Sequence, residues 1–315
     1  MYILGFDIGG TKCAAVTAEY NGKDIKLLKK DVCATDHSIN AHEMLERIIL
    51  LADGILDKTP DAIGISCGGP LDSGLGMIMS PPNLPGWDNI EIVRILEKHF
   101  GAPARLQNDA NACALAEWKF GAGIGCKNMI FLTFGTGLGS GLILNERLYE
   151  GTNGNAGEIG HIRLASAGPI GYGKNGSFEG FCSGGGIAQL GYTEAVKAIT
   201  RGEHPLYFQD GMSEKDITAK AIARAAEQGD PTALRVYRIS GKYLGKGLSV
   251  LIDILNPEKI IIGSIFARSG QLLTDSMKKE IKKEALSLSA SCCKIECAML
   301  GEAIGDLAAI ATALT

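Results

Sequence analysis

The chain repeats a short pattern, and the repeat limits the folds open to it. Residues 3–16 read ILGFDIGGTKCAAV and residues 130–143 read IFLTFGTGLGSGLI. Each begins as an apolar strand, meets a polar residue, turns through glycines and enters a second apolar run. Asp7 aligns with Thr133, and Gly9 with Gly135. A strand–glycine turn–strand unit found twice predicts two related halves facing each other. Two ordinary Gly-rich hairpins would read the same way one at a time.

Between and after the repeats, strands alternate with helices, as α/β domains require. Apolar spacing predicts a helix over 41–58 and another over 88–100, with Asp88 as N-cap and Gly101 beyond the last turn. Ala62–Ser66 and Ala104–Leu106 read as strands, the second running into a helix that reaches about Phe120. Ser213-x-x-Asp216 and Asp230-Pro231 read as helix starts. The Asp230 helix should run to about Leu255 and stop at Asn256-Pro257, before a strand over Lys259–Ile262. A last helix should begin near Gly301.

With 315 residues, 46% of them hydrophobic, the chain is too long for one core and predicts two domains. The formal net charge of -4 argues against a nucleic-acid partner. No apolar run is long enough to span a membrane. The nine cysteines are odd in number and scattered, and no signal-peptide pattern precedes the first strand, which fits the cytoplasm.

Four segments carry chemistry. Asp7-Ile8-Gly9-Gly10-Thr11-Lys12 follows the first strand directly. Glycines let backbone N–H groups close on phosphate oxygens, and Asp7 could hold Mg²⁺ through water, an ion that dehydrates reluctantly. A plain turn with a capping Asp has the same spelling, and the ending is not that of a P-loop. Gly135-Thr136-Gly137-x-Gly139-x-Gly141 is the matching loop, so the pair could clamp a polyphosphate from two sides. Asn108-Asp109-Ala110-Asn111 falls where a strand gives way to a helix. It reads as an N-cap, or as a base whose carboxylate the helix N-terminus keeps ionised while it accepts a hydroxyl proton during phosphoryl transfer. Glu158 and His161 of Gly157-Glu158-Ile159-Gly160-His161, with Glu179, add acceptors suited to a polyhydroxylated ligand. Gly171-x-Gly173-x-x-Gly176 imitates a dinucleotide fingerprint, but no strand leads into it and no long helix follows.

DIGGTK at 7–12, SPPNLPGW at 80–87, QNDANA at 107–112, FGTGLGSG at 134–141, GNAGEIGH at 154–161 and the Glu179 segment together resemble the ROK family of bacterial sugar kinases and sugar-responsive repressors. The resemblance covers essentially the whole chain. It implies an α/β, actin/hexokinase-like (RNase H-like) two-domain fold with a duplicated core and an interdomain cleft. The small lobe would hold 1–107 plus about 301–315, and the large lobe 108–300. ATP would be bound by Asp7, Gly9, Gly10, Thr11 and Lys12, by Thr136 and Gly137 in the 135–139 loop, and by Gly263, where Ser264 replaces the family's usual second glycine. Gly69, Asn83, Asn108, Asp109, Glu158, His161 and Glu179 would contact the sugar, with Asp109 the catalytic base. The resemblance implies a cytoplasmic homodimer that uses ATP and Mg²⁺ to phosphorylate a hexose or N-acylhexosamine, glucose first, at the 6-hydroxyl.

The family's zinc motif, Cys-x-Cys-Gly-x-x-Gly-Cys-x-Glu, departs here. Aligned on Glu179, its cysteines fall on Ile170, Tyr172 and Ser177, so no structural zinc is expected. His161 would then be free for the sugar, and packing around Tyr172 and Phe178 would hold the loop. The same loss recurs in some N-acetylmannosamine kinases, which makes that activity an alternative. A sugar-sensing regulator is another; the phosphate motif at residue 7 leaves no room ahead of it for a DNA-binding domain. An acetate-kinase-like or chaperone-like ATPase would not need the Glu158–His161–Glu179 group.

Overall fold

The computed structural model describes residues 1–315. Two compact units emerge, one of Met1–Lys127, Gly141–Ala156 and Met299–Thr315, the other of Asn128–Ser140 and Gly157–Ala298.

In the first unit, β1 (Tyr2–Ile8) and β2 (Lys12–Tyr20) form the first hairpin, and β3 (Ile25–Ala34) pairs outside β2. β3 is exposed along nearly its whole length and carries Lys26, Lys29 and Lys30, charges that discourage pairing of a free edge. Helix α1 (Ala41–Ile55) buries Met44, Leu45, Ile48, Ile49 and Ala52 on one face, and the Asn40 side chain caps it. β4 (Ala62–Cys67) and the short pair β5 (Leu71–Asp72) and β6 (Met77–Ile78) follow.

The next helix, α2, spans Ile92–Phe100 and ends on Gly101 in the left-handed conformation. Its start differs from the expectation. Ile78 and Ile90 exchange backbone hydrogen bonds of 3.0 Å in each direction, which holds the chain extended past Asp88. Asp88 instead accepts a bond from the Ser80 hydroxyl. β7 (Ala104–Asn108) then leads directly into α3 (Asp109–Phe120).

The second hairpin is β8 (Met129–Phe134) and β9 (Leu138–Leu144), extended by β10 (Arg147–Leu148). After it come a small hairpin of β11 (Ile170–Gly171) and β12 (Lys174–Asn175), then α4 (Phe178–Phe181) and α5 (Gly184–Ile199). Ser213 and Asp216 do form a capping box, but it closes only a single 3-10 turn. The helix α6 (Ala219–Glu227) starts later, capped by Thr218. Helix α7 (Pro231–Leu255) begins on Asp230 and stops at Asn256, whose φ of 45° is left-handed, as the sequence predicts. β13 (Lys259–Ile262), α8 (Ile265–Glu284), α9 (Ser287–Cys292) and β14 (Lys294–Cys297) complete the second unit, and α10 (Ile304–Thr312) returns to the first.

The two five-stranded sheets share one plan. Their orders are β3-β2-β1-β4-β7 and β10-β9-β8-β13-β14. In each, two strands of a hairpin lie beside two parallel strands added from later in the chain. The sequence repeat is thus a repeat of sheet topology. No helix is long and apolar enough to cross a membrane.

Candidate functional site

Three parallel strands of the first sheet end in register. Ile8 of β1 stands opposite Cys67 of β4, and Cys67 opposite Asn108 of β7. Adjacent strands lie about 4.8 Å apart, so the Gly9–Lys12 turn, Gly68-Gly69 and the start of α3 emerge side by side. The carboxyl edge of parallel strands is where ligands bind in such sheets.

In the turn, the Gly9 N–H donates to the Lys12 carbonyl at 3.0 Å, while the Gly9 carbonyl accepts from the Thr35 hydroxyl at 2.6 Å. Gly10 packs against the Asn83 backbone; a Cβ there would sit 2.5 Å from the Asn83 carbonyl oxygen, so only glycine fits. The Gly9–Lys12 turn and the Asn83 loop are thereby one packed unit. Thr11 and Lys12 are exposed beside it.

Asn108 caps α3, its side chain accepting from the Asn111 N–H at 2.8 Å. The N-cap reading and the base reading therefore fall on different residues: Asn108 caps, and Asp109 is the exposed first residue of the helix, accepting from the Ala110 N–H at 2.8 Å. Behind it, buried Asn111 donates to Gln107, Gln107 donates to Glu150 at 2.6 Å, and Ser73 donates to the same oxygen at 2.7 Å. This polar chain fixes the end of β7.

Asp7 is half-buried. Burial pushes its carboxyl above the ordinary value of 3.8, with the charges of Asp306 and Asp109 adding to the rise and Lys12 and Lys30 opposing it. A cation would relieve that repulsion, and hard carboxylate oxygens suit Mg²⁺. The sign gives a test. Since the folded carboxyl binds its proton more tightly than the unfolded one, ionised Asp7 costs stability at neutral pH. Asp7→Asn should therefore melt higher than wild type at pH 7. The gain should shrink as pH falls through the raised value toward 3.8. Melting curves across pH check it; an unchanged or lower midpoint at pH 7 would count against the crowded-carboxylate reading.

The sequence reading missed Gly305, Asp306 and Lys30. Gly305 lies against Asp7, where a Cβ would come 2.6 Å from its Oδ2. Asp306 is buried and paired with Lys30 at 2.7 Å. The only local signal is a Gly-Asp pair in the first turn of the last helix, too common to single out.

In the second unit, the Gly135 N–H donates to the Gly137 carbonyl at 3.0 Å, which closes the turn around exposed Thr136. Thr133, in the place of Asp7, accepts from the Gly139 N–H at 2.9 Å, so this turn carries no carboxylate of its own. Gly263 ends the adjacent parallel strand β13, and Ser264 lies beside Gly135. Ser264 has a φ of 58°, the conformation glycine favours, so the backbone keeps its shape although the side chain has changed.

Glu179 reaches the same turn: its Oε2 accepts from the Leu138 N–H at 3.0 Å. Glu158 is exposed on a single 3-10 turn with His161. The His161 ring meets the Tyr172 ring edge-on at 4.9 Å. Glu179, His161, Thr136, Gly137 and Gly263 thus belong to the second unit, and Asp7 to Lys12, Gly69, Asn83, Asn108 and Asp109 to the first.

The family's zinc site does not fit these residues. Ile170 and Tyr172 offer no thiolate, and the Ser177 hydroxyl accepts from the Gly180 N–H at 3.0 Å as the cap of α4. Cys182 is buried and donates to the Ser240 carbonyl. Phe178 packs in the core as expected, whereas Tyr172 is 71% exposed and touches His161 rather than filling space.

Known proteins resemble this chain throughout. The glucokinase of Halalkalibacterium halodurans is 34% identical over 313 residues, covering 96% of this chain and 92% of that one. The DNA-binding transcriptional dual regulator NagC of Escherichia coli is 31% identical over 248 residues, 78% of this chain and 59% of the regulator. Among solved structures, the ROK family glucokinase of Streptomyces griseus in complex with glucose and AMPPNP superposes with a TM-score of 0.77 at 30% identity, covering 99% and 98% of the two chains. The ROK family model itself matches residues 3–315, and with turns, capped helix and duplicated sheets all in their places, the chain belongs to the ROK family.

Proposed function

We propose that this chain transfers the γ-phosphoryl group of ATP to the 6-hydroxyl of a hexose or N-acylhexosamine, glucose being the leading candidate. As a ROK family member with glucokinases among its relatives, it is a sugar kinase, an ATP:sugar phosphotransferase. The observation that carries the finer reading is the register of β1, β4 and β7. It brings the Asp7 turn and Asp109 out at one sheet edge, near enough for the Asp109 charge to act on Asp7.

Asp109 accepts the proton of the attacking hydroxyl, a task a weak base can do because the transition state is loose. Asn108, Asn83, Gly69, Glu158, His161 and Glu179 hold the sugar. The N–H groups of Gly10, Thr11, Thr136 and Gly137 stabilise the charge on the phosphates, while those of Gly9 and Gly135 close the turns. Lys12 adds a cation to the first turn, and Gly263 contacts the nucleoside through its backbone. Mg²⁺, when bound, supplies further charge neutralisation. No group of three or more His, Cys, Asp or Glu side chains is placed to hold it directly; Asp7 would hold it through water.

ADP release coupled to a dye, measured across hexoses and N-acylhexosamines, tests the proposal. Glucose should give the highest kcat/KM and N-acetylmannosamine a lower one. A reversed order would move the assignment to an N-acetylmannosamine kinase. Binding of a sugar without any ADP release would make the chain a sensor instead.

A further inference from the structure

We propose that Gln189 is a positioning residue that takes over the loop-fixing task of the missing zinc. The inference rests on the reading of Glu179 and His161 as sugar ligands. Gln189 stands on α5, and its amide grips one backbone residue at two points. Its Oε1 accepts from the Ile170 N–H at 2.8 Å, and its Nε2 donates to the Ile170 carbonyl at 2.9 Å. That is the pattern a neighbouring strand would offer Ile170, supplied here by a side chain from 19 residues away.

The residue so gripped opens the β11–β12 hairpin, where Ile170 pairs with Asn175 and Gly171 with Lys174. Tyr172 and Gly173 turn it, with φ values of 44° and 73°, both positive as a tight two-residue turn requires. The hairpin touches both sugar residues. Gly171 lies so close to Glu179 that a Cβ would come 2.8 Å from the Glu179 Cβ. Tyr172 sets its ring edge against His161, and the Lys174 ammonium donates to the His161 carbonyl at 2.7 Å. Since Glu179 also accepts from Leu138, its position bears on the phosphate turn. Residue 172 thus still meets His161, through a ring rather than a shared metal, and the anchoring falls to Gln189.

Gln189→Leu removes both bonds at similar volume. Amide exchange over 168–178 should speed up, and glucose affinity should fall on the order of tenfold, as the loss of two neutral hydrogen bonds implies. Gln189→Glu adds a readout that simple packing would not move. Ionised, it faces the Ile170 carbonyl with a second acceptor; protonated, it can donate again. Its deficit against wild type at the same pH should therefore shrink as pH falls from 7 toward about 4.3, the ordinary value of a glutamate side chain. Exchange and affinity unchanged in Gln189→Leu, or a pH-independent deficit in Gln189→Glu, would overturn the proposal. If Glu179→Gln and His161→Asn leave glucose binding intact, the sugar-site reading fails, while the exchange rates still report on the clamp.

Discussion

Asp109→Asn should lower kcat by about 10²–10⁴-fold, the usual contribution of a positioned general base, with the fold left intact. The amide oxygen can still accept from Ala110, as the carboxylate does at 2.8 Å, and the cap of α3 belongs to Asn108. The helix cap and the proposed proton acceptor are separate residues, so the substitution removes one function only. Sugar affinity should change little, because an amide keeps a hydrogen bond to a hydroxyl. Initial rates, calorimetric sugar binding and a melting curve on the same preparation check the three statements. Turnover within about tenfold of wild type would remove Asp109 as the base.

Gly64→Ala should have the largest effect on stability. Helix α10 rests directly on the first sheet, and a Cβ on Gly64 would lie 1.9 Å from the Ala309 carbonyl oxygen and 2.7 Å from the Ala313 nitrogen. The obstacle is backbone, not a side chain that can swing aside, so the helix must shift. Overpacking of this kind costs about 3 kcal/mol or more, which lowers the melting midpoint by roughly 4–5 °C or more in a chain of 315 residues. The shift would also move Gly305 and Asp306, which border Asp7, so ATP use should weaken before the protein unfolds. Gly54→Ala on the exposed face of α1 is the control. Nothing lies within 4 Å of its Cβ, and helix propensity makes the change neutral or stabilising. Equal melting points for the two variants would refute the close-packing account.

The site and the fold differ in how much of each was legible beforehand. Motifs that use their own backbone can be read from sequence, because the chemistry lies within a few residues: the Gly9–Gly10 turn, the 135–139 turn, Asn108-Asp109 at a helix start, and Pro231 opening α7. Starts that depend on a partner cannot. Asp88 has the composition of an N-cap, yet the bridge between Ile78 and Ile90 claims the backbone first. Ser213 and Asp216 form their capping box, yet the backbone turns extended at Ile217 and Thr218, and Thr218 caps the helix anew.

The sequence by itself determined that two glycine turns sit on two copies of one hairpin, and that a carboxylate heads a helix right after a strand. Local conformation and periodicity are enough for that. Only the tertiary structure decided what presses on those turns. Asp306 and Gly305 reach Asp7 from the far end of the chain, Gly64 admits the helix that carries them, and Gln189 grips Ile170. Each of these is a close approach between segments whose meeting is set by how sheets and helices pack, and packing leaves no spacing in the sequence to read.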